Sequence, residues 1–391
     1  MRLDLVVPRY GSQIRGGAEN AARELATRLV SGSGWDVRVL STTALDSTTW
    51  APALAAGVTE EDGVPVHRFP VAAGRHHDFD AYSGPLLSRA DQAGAEESWK
   101  WLEMQGPLSP ELLEAVEISE ADAVAFYPYL YHPTVAGMGR ARRPTILHAA
   151  AHDEAPIRLP VFRAVFEGAE GLVFHTETER RLVRRLFSIG ARPQIVLGLG
   201  VEGEPPIGTD PDVVGGRPFV LCLGRVDDQK GVGALWRFFL AYKRRRPGPL
   251  ALVLAGPVID RPPEDPDLVV TGPVSEEVKW GLLRGAQVLV SPSPLESFSL
   301  VMAEAWSVRT PVMVNARCGP TMEGVARSGA GLSFGSYAEF EAGLDRLAGD
   351  PALRHHLGLR GRAHVDQHLV WPVVLDRYRA FVTGLVSRAR G

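Results

Sequence analysis

Short, continuously apolar segments alternate with amphipathic ones along the chain, and the whole pattern runs twice. In the first half the apolar segments are residues 3–7, 35–40, 64–69 (polar residues interleaved), 123–126, 145–147 and 172–174. Helical periodicity marks 18–30, where Ala18, Ala21, Ala22, Leu25, Ala26 and Leu29 share a face, and 177–186. In the second half the apolar segments are 219–223, 250–255, 268–270, 288–291 and 312–314, and an amphipathic stretch closes the chain at 371–390. A strand that is apolar at every position has no solvent face, so its sheet must be parallel and covered on both sides by helices. This predicts an α/β chain of two Rossmann-like, doubly wound domains. Glu204-Pro-Pro206 and Gly215-Gly216 break the pattern between them, in a boundary at 203–217. The expected division is 1–205, 206–370 and a C-terminal helix at 371–391. Residues 73–115, rich in Gly, Pro and acidic groups, read as irregular. Sites in open parallel sheets lie outside the carboxyl ends of the strands, which places the expected site in a cleft between the domains.

Bulk properties narrow the function classes. The 391 residues suffice for two domains of ordinary size. With 42 Lys and Arg against 46 Asp and Glu, the net charge of −4 makes no general case for nucleic-acid binding. Two cysteines, Cys222 and Cys318, make no disulfide framework, and no apolar run approaches the roughly 20 residues of a membrane span. The N-terminal residues enter a strand without signal-peptide organisation. A cytoplasmic enzyme is the expectation. Lys243-Arg-Arg-Arg246 reads as a solvated helix end, with peripheral membrane contact as the competing reading.

The chemistry concentrates in Pro292-Ser-Pro-Leu-Glu-Ser-Phe-Ser-Leu-Val-Met-Ala-Glu-Ala305. A helix predicted over 298–306 leaves Glu296 in the preceding loop and carries Glu304 along one side. Between them lie the N–H groups of a helix start, which suit a phosphate, with a carboxylate on either side for sugar hydroxyls. Upstream, Leu223-Gly-Arg-Val-Asp-Asp-Gln-Lys-Gly231 follows a strand and opens a helix. Its Arg225 and Lys230 are two cations placed to neutralise a diphosphate.

Together these segments resemble retaining glycosyltransferases of the GT-B fold, in particular family 4. Glu296, Ser297, Phe298, Leu300, Glu304 and Ala305 match that family's E-x(7)-E signature, and Arg225, Lys230 and Gly231 its G-R-[LV]-x-x-x-K-G loop. Gly16-Gly17-Ala-Glu19 resembles its N-terminal G-G-[AV]-E. The resemblance implies transfer of a sugar from a nucleoside diphosphate, UDP or GDP being expected, to an acceptor hydroxyl of unknown identity. It implies no metal and no cofactor. Arg225 and Lys230 would hold the donor phosphates, Glu304 the ribose hydroxyls and Glu296 those of the donor sugar. The amides of Phe298, Ser299 and Leu300 would meet sugar and phosphate, and backbone up to Val274 the base. Gly16 and Gly17 would let backbone approach the ligand. A histidine of the first domain would face donor and acceptor. His152 is the preferred candidate, but His148-Ala-Ala-Ala-His152 allows two alignments. The C-terminal helix would cross back to the first domain.

Ser299 departs from the family, which has Gly there; a side chain then replaces hydrogen where the ligand approaches. Val308-Arg309 and the Cys318–Glu323 stretch depart as well. Tyr127, Tyr129 and Tyr131 follow a strand end and read either as packing or as faces for a sugar ring. His148 with His152, and His76-His77-Asp78, lack the company of a zinc site. Readings from other classes are a nucleotide-sugar epimerase or a phosphorylase on the same fold, and a non-catalytic nucleotide-sugar binder.

Overall fold

The structure is a computed structural model that describes residues 1–14, 16–209 and 212–390. Arg15 in the predicted loop and residues 210 and 211 in the predicted boundary lie outside the described residues. The chain forms two units, Met1–Leu197 with Leu375–Gly391, and Gly198–Val374.

In the first unit the strands are β1 (Arg2–Val6), β2 (Asp36–Thr42), β3 (Gly57–Glu61), β4 (Val64–Phe69), β5 (Ala123–Phe126), β6 (Thr145–His148), β7 (Gly171–Phe174) and β8 (Gln194–Val196). They lie in the order β3-β4-β2-β1-β5-β6-β7-β8, parallel except for β3 against β4. The helices are α1 (Gly17–Ser33), α2 (Phe79–Leu87), α3 (Ala95–Gln105), α4 (Pro110–Glu117), α5 (His132–Arg140), α6 (Arg163–Gly168) and α7 (Glu177–Leu186). The stretch read as irregular is therefore largely helical. Its periodicity was hidden because Gly84 and Pro85 sit inside α2 and Pro110 opens α4, where a missing N–H costs little. The apolar residues of these helices, Phe79, Leu86, Trp101, Leu102, Leu112 and Val116, join one buried core with Val6, Val124 and Phe126 of the sheet. Strand β3 escaped notice for a different reason. Its Gly-Val-Thr-Glu-Glu sequence is an exposed edge, and edges tolerate charge.

The second unit carries β9 (Phe219–Leu223), β10 (Ala251–Ala255), β11 (Leu268–Gly272), β12 (Val288–Ser291), β13 (Val312–Asn315) and β14 (Gly331–Phe334). Its helices are α8 (Val232–Arg245), α9 (Glu276–Gly285), α10 (Leu300–Ser307), α11 (Gly319–Ser328), α12 (Tyr337–Gly349) and α13 (Pro351–His368). Helix α14 (Trp371–Arg390) then leads back into the first unit. The sheet order is β11-β10-β9-β12-β13-β14, parallel throughout. The period of two along each strand divides the apolar residues between two cores. Phe219, Leu221, Ala251 and Val253 pack with Leu283, Met302 and Trp306 on one face. Val220, Cys222, Leu252 and Leu254 pack with Leu235, Phe239 and Leu344 on the other.

The basic run at the end of α8 is tied down. Lys243 is buried, donates to Leu250 O at 2.8 Å and lies 3.2 Å from Asp267; Arg245 pairs with Glu341 at 2.8 Å and Arg246 with Asp345 at 3.3 Å. Among the described residues no helix is long and apolar enough to cross a membrane.

Candidate active site

In the second sheet β9 and β12 are neighbours whose onward connections run in opposite directions, from β9 to β10 on one side and from β12 to β13 on the other. That reversal opens a crevice beyond the carboxyl ends of β9 and β12. The two loops that fill it are the ones that carry the motifs. A cavity of about 180 Å³ lies there, lined among others by Gly224, Arg225, Lys230, Glu296, Ser299 and Leu300. Lys230 Nζ donates to Glu296 Oε1 at 2.9 Å, joining the two loops at their tips. Arg225 is half-exposed and 3.6 Å from Asp227 Oδ2. Asp227 is itself occupied in shaping the loop, accepting from Gln229 N at 2.8 Å to start the short turn Asp228–Lys230.

Gly231 ends that turn at φ 73°, a left-handed conformation that glycine adopts without strain. A Cβ there would lie 2.4 Å from Pro292 O, so the loop after β9 packs backbone to backbone on the loop after β12. Helix α10 starts at Leu300, two residues later than the sequence suggested. Ser299 occupies its N-cap position at φ 73°, ψ 81°. A serine held in the left-handed region costs on the order of 1–2 kcal/mol that glycine would not. Phe298, ahead of the helix, is buried with Met302 and Leu369. Ser299, Leu300 and Val301 line the cavity, so the start of α10 opens onto it.

Glu304 does not line this cavity, nor do Phe298 and Val274. It is buried on the second turn of α10, where Lys279 Nζ of α9 donates to its Oε1 at 2.8 Å. The same ammonium lies 2.6 Å from Glu276. Burial works against the lysine's charge, but Glu304 and Glu276 outweigh it and hold its pKa above the usual value. Lys279 was not legible in the sequence, because no motif or spacing connects it with Glu304, 25 residues on.

In the first unit the two candidate histidines separate by burial. His148 ends β6 in the core, its Nε2 3.0 Å from Tyr378 Oη and its ring stacked on Tyr127 at 3.9 Å. Burial, with His175 nearby, holds its pKa well below the ordinary value. His152, one loop further on, is about one-third exposed, with Nδ1 3.6 Å from Glu154. Tyr129 is also core and donates to Glu154 Oε1 at 2.9 Å. Tyr127 and Tyr129 therefore take the packing reading; Tyr131 is half-buried, edge-on to Trp50. Gly16 is the N-cap of α1 and Gly17 its first residue. A Cβ on Gly16 would lie 1.9 Å from Glu19 Oε2, and Glu19 is buried against Arg9. Arg9 donates further to Leu45 O at 2.9 Å. His76, His77 and Asp78 cluster on the surface, all three exposed.

The loop of His152 hangs on a carboxylate that the sequence did not single out. Glu179 is buried; its Oε1 accepts from Ala151 N at 2.7 Å and its Oε2 from His175 N at 2.5 Å. Burial pushes its carboxyl up to about 7, against the lowering effect of the N–H donors and His152. Between the ordinary glutamate value of 4.5 and about 7, the unfolded chain has released a proton that the folded chain keeps. This group's contribution to stability therefore falls as pH rises through that window. Thermal and denaturant midpoints should show wild type losing up to about 3 kcal/mol relative to Glu179→Gln between about pH 5 and 7. A constant difference across that range would show that the carboxyl titrates normally.

Two Rossmann-like units, one with a crevice at its switch point, are the architecture of the GT-B glycosyltransferases. Sucrose-phosphate synthase from Thermosynechococcus elongatus superposes with a TM-score of 0.72 at 19% identity, 99% of each chain covered. HepE from Anabaena, solved in complex with UDP and glucose, gives 0.70 at 15%, over 98% of this chain and all of that one. Residues 210–364 match the family model described as Glycosyl transferases group 1. Among curated relatives, trehalose synthase of Rubrobacter xylanophilus is 29% identical over 190 residues, 42% of this chain and 43% of its own. The D-inositol 3-phosphate glycosyltransferase of Nocardia farcinica is 30% identical over 166 residues, 38% and 37%. The matches thus span about two fifths of the length of these relatives.

Proposed function

We propose that the chain is a retaining, metal-independent glycosyltransferase that moves a sugar from a nucleoside diphosphate to an acceptor hydroxyl. The observation that carries this reading is the single cavity that gathers Arg225, Lys230, Glu296 and the first turn of α10 at the switch point of the second sheet. The positive charge a diphosphate requires is supplied by protein groups, two side-chain cations and a helix start, so the reading needs no metal. As the bond from the sugar's anomeric carbon to the phosphate oxygen breaks, negative charge grows on the diphosphate, and Arg225 and Lys230 stabilise it. Glu296, already bonded to Lys230, offers acceptor oxygens to sugar hydroxyls beside the leaving group. For His152, about one-third exposed in the loop after β6, a role toward sugar and acceptor is what the family resemblance implies. Retention follows from the family resemblance; the new bond forms on the face the nucleotide leaves, by front-side attack or through a short-lived ion pair.

A UDP- or GDP-sugar is the expected donor, and the complexes of HepE with UDP support UDP. The names of the curated relatives support a sugar or inositol hydroxyl as acceptor. Two buried free thiols, Cys222 and Cys318, support a reducing, cytoplasmic setting.

The test is a thermal-shift screen with UDP, GDP, ADP and TDP and their common sugars. A ligand held only by the folded protein stabilises it by about 2.7 kcal/mol at one hundred times its dissociation constant. One base should raise the midpoint clearly, and a labelled sugar on that base should be transferred to an acceptor. No shift with any nucleotide, together with a shift on inorganic phosphate, would replace this reading by that of a phosphorylase.

A further inference from the structure

Lys279 breaks a local rule. It lies near the start of α9, four residues after the N-cap Ser275, where the helix dipole disfavours a cation. It is also largely buried, its side chain 16% exposed, which a lysine accepts only with compensation. The compensation comes from three sides: Glu304 at 2.8 Å, Glu276 at 2.6 Å, and the ring of Trp280, whose centroid is 4.8 Å from the ammonium. Of the two carboxylates, Glu276 is exposed and needs no partner, whereas Glu304 is buried on a different helix. A buried carboxylate without a cation takes up a proton, and a protonated carboxyl cannot accept from two hydroxyls as a carboxylate does. Polar groups retained at such a cost to local preference are expected at functional sites.

We propose that Lys279 is the positioning residue of the nucleotide site: it keeps Glu304 ionised and fixes its orientation, so that the carboxylate accepts hydrogen bonds from the two ribose hydroxyls of the donor. This rests on the reading that Glu304 takes the ribose. Lys279 does not touch the nucleotide; it acts through Glu304, and the recognition it governs is that of a ribose against a sugar lacking its hydroxyls.

The experiment measures dissociation constants of UDP, GDP and ADP, each against its 2′,3′-dideoxy counterpart, for wild type, Lys279→Met and Lys279→Arg. For the nucleotide that binds, wild type should prefer the ribose form about 10- to 100-fold, the effect of hydrogen bonds to a charged group. In Lys279→Met the preference should collapse to within about threefold while the dideoxy form binds nearly as before, and Lys279→Arg should restore most of it. A ratio taken within one variant cancels any general loosening of the fold. If wild type itself does not discriminate, or binds none of the three, the ribose reading of Glu304 falls and the inference with it. If wild type discriminates and Lys279→Met does so by the same factor, the ribose reading stands and Lys279 is merely structural. Should Lys279→Met not fold, Lys279→Gln is read by the same ratio, and failure of both to fold also assigns Lys279 to structure alone.

Discussion

Lys230→Ala is expected to lower turnover about 100- to 1000-fold, the range found when one preorganised donor to a developing negative charge is removed. The lysine sits in the cavity beyond β9, its ammonium 2.9 Å from Glu296. On the proposed function it serves twice, as a charge for the leaving diphosphate and as the anchor for the carboxylate expected to hold the sugar. Misfolding will not mimic this result. The Lys230–Glu296 pair is partly exposed, 35% and 21%, and pairs in that range contribute about 0–1 kcal/mol to stability. The loss should fall mainly on kcat, because the charge that Lys230 meets develops as the bond breaks. Lys230→Arg should recover part of the activity, since the charge is kept but the compact ammonium is replaced by a planar fork. Steady-state rates on the donor found in the nucleotide screen decide the matter. A folded Lys230→Ala protein within about threefold of wild type would remove Lys230 from the site.

Gly231→Ala is expected to cost on the order of 3 kcal/mol of stability, through two effects of similar size. The first is the left-handed φ of 73°, unfavourable for any residue with a Cβ. The second is the position of that Cβ, 2.4 Å from a backbone oxygen of residue 292 that has no rotamer to give way. Relief requires the loop after β9 to move off the loop after β12, which carries Lys230 away from Glu296. A displacement of about 1 Å is enough to cost some 100-fold in rate. Urea denaturation should therefore show a lower midpoint with an unchanged slope, together with weakened nucleotide binding. A midpoint shift worth less than about 1 kcal/mol would mean that the two loops do not meet as described.

The central strands were legible from the residues alone. Strands β9 and β12 have the bounds the apolar runs indicated, because a strand buried on both faces must be apolar at every position. The place of the charged residues next to them was legible too, since Arg225, Lys230 and Glu296 lie in loops whose position at a strand end follows from the strand itself. Where several weak local signals compete, the reading failed. Gly84 and Pro85 made α2 look like a loop, and only its contacts with the core hold it helical. Ser299 lies outside α10 although its neighbours are good helix formers.

What the sequence by itself determined was the alternation of strands and helices, the α/β class and the residues that bear charge at the strand ends. Those depend on periodicity and on neighbours within a few positions. What only the tertiary structure decided was which partner each side chain meets. His148 and His152, four residues apart, part ways because β6 runs on through His148 into the core before the chain turns outward. Lys279 finds Glu304, and Glu179 finds Ala151, across 25 and 28 positions. Each pairing joins segments brought together by the packing of the sheet, and no local pattern encodes a contact whose two halves are free to vary independently along the chain.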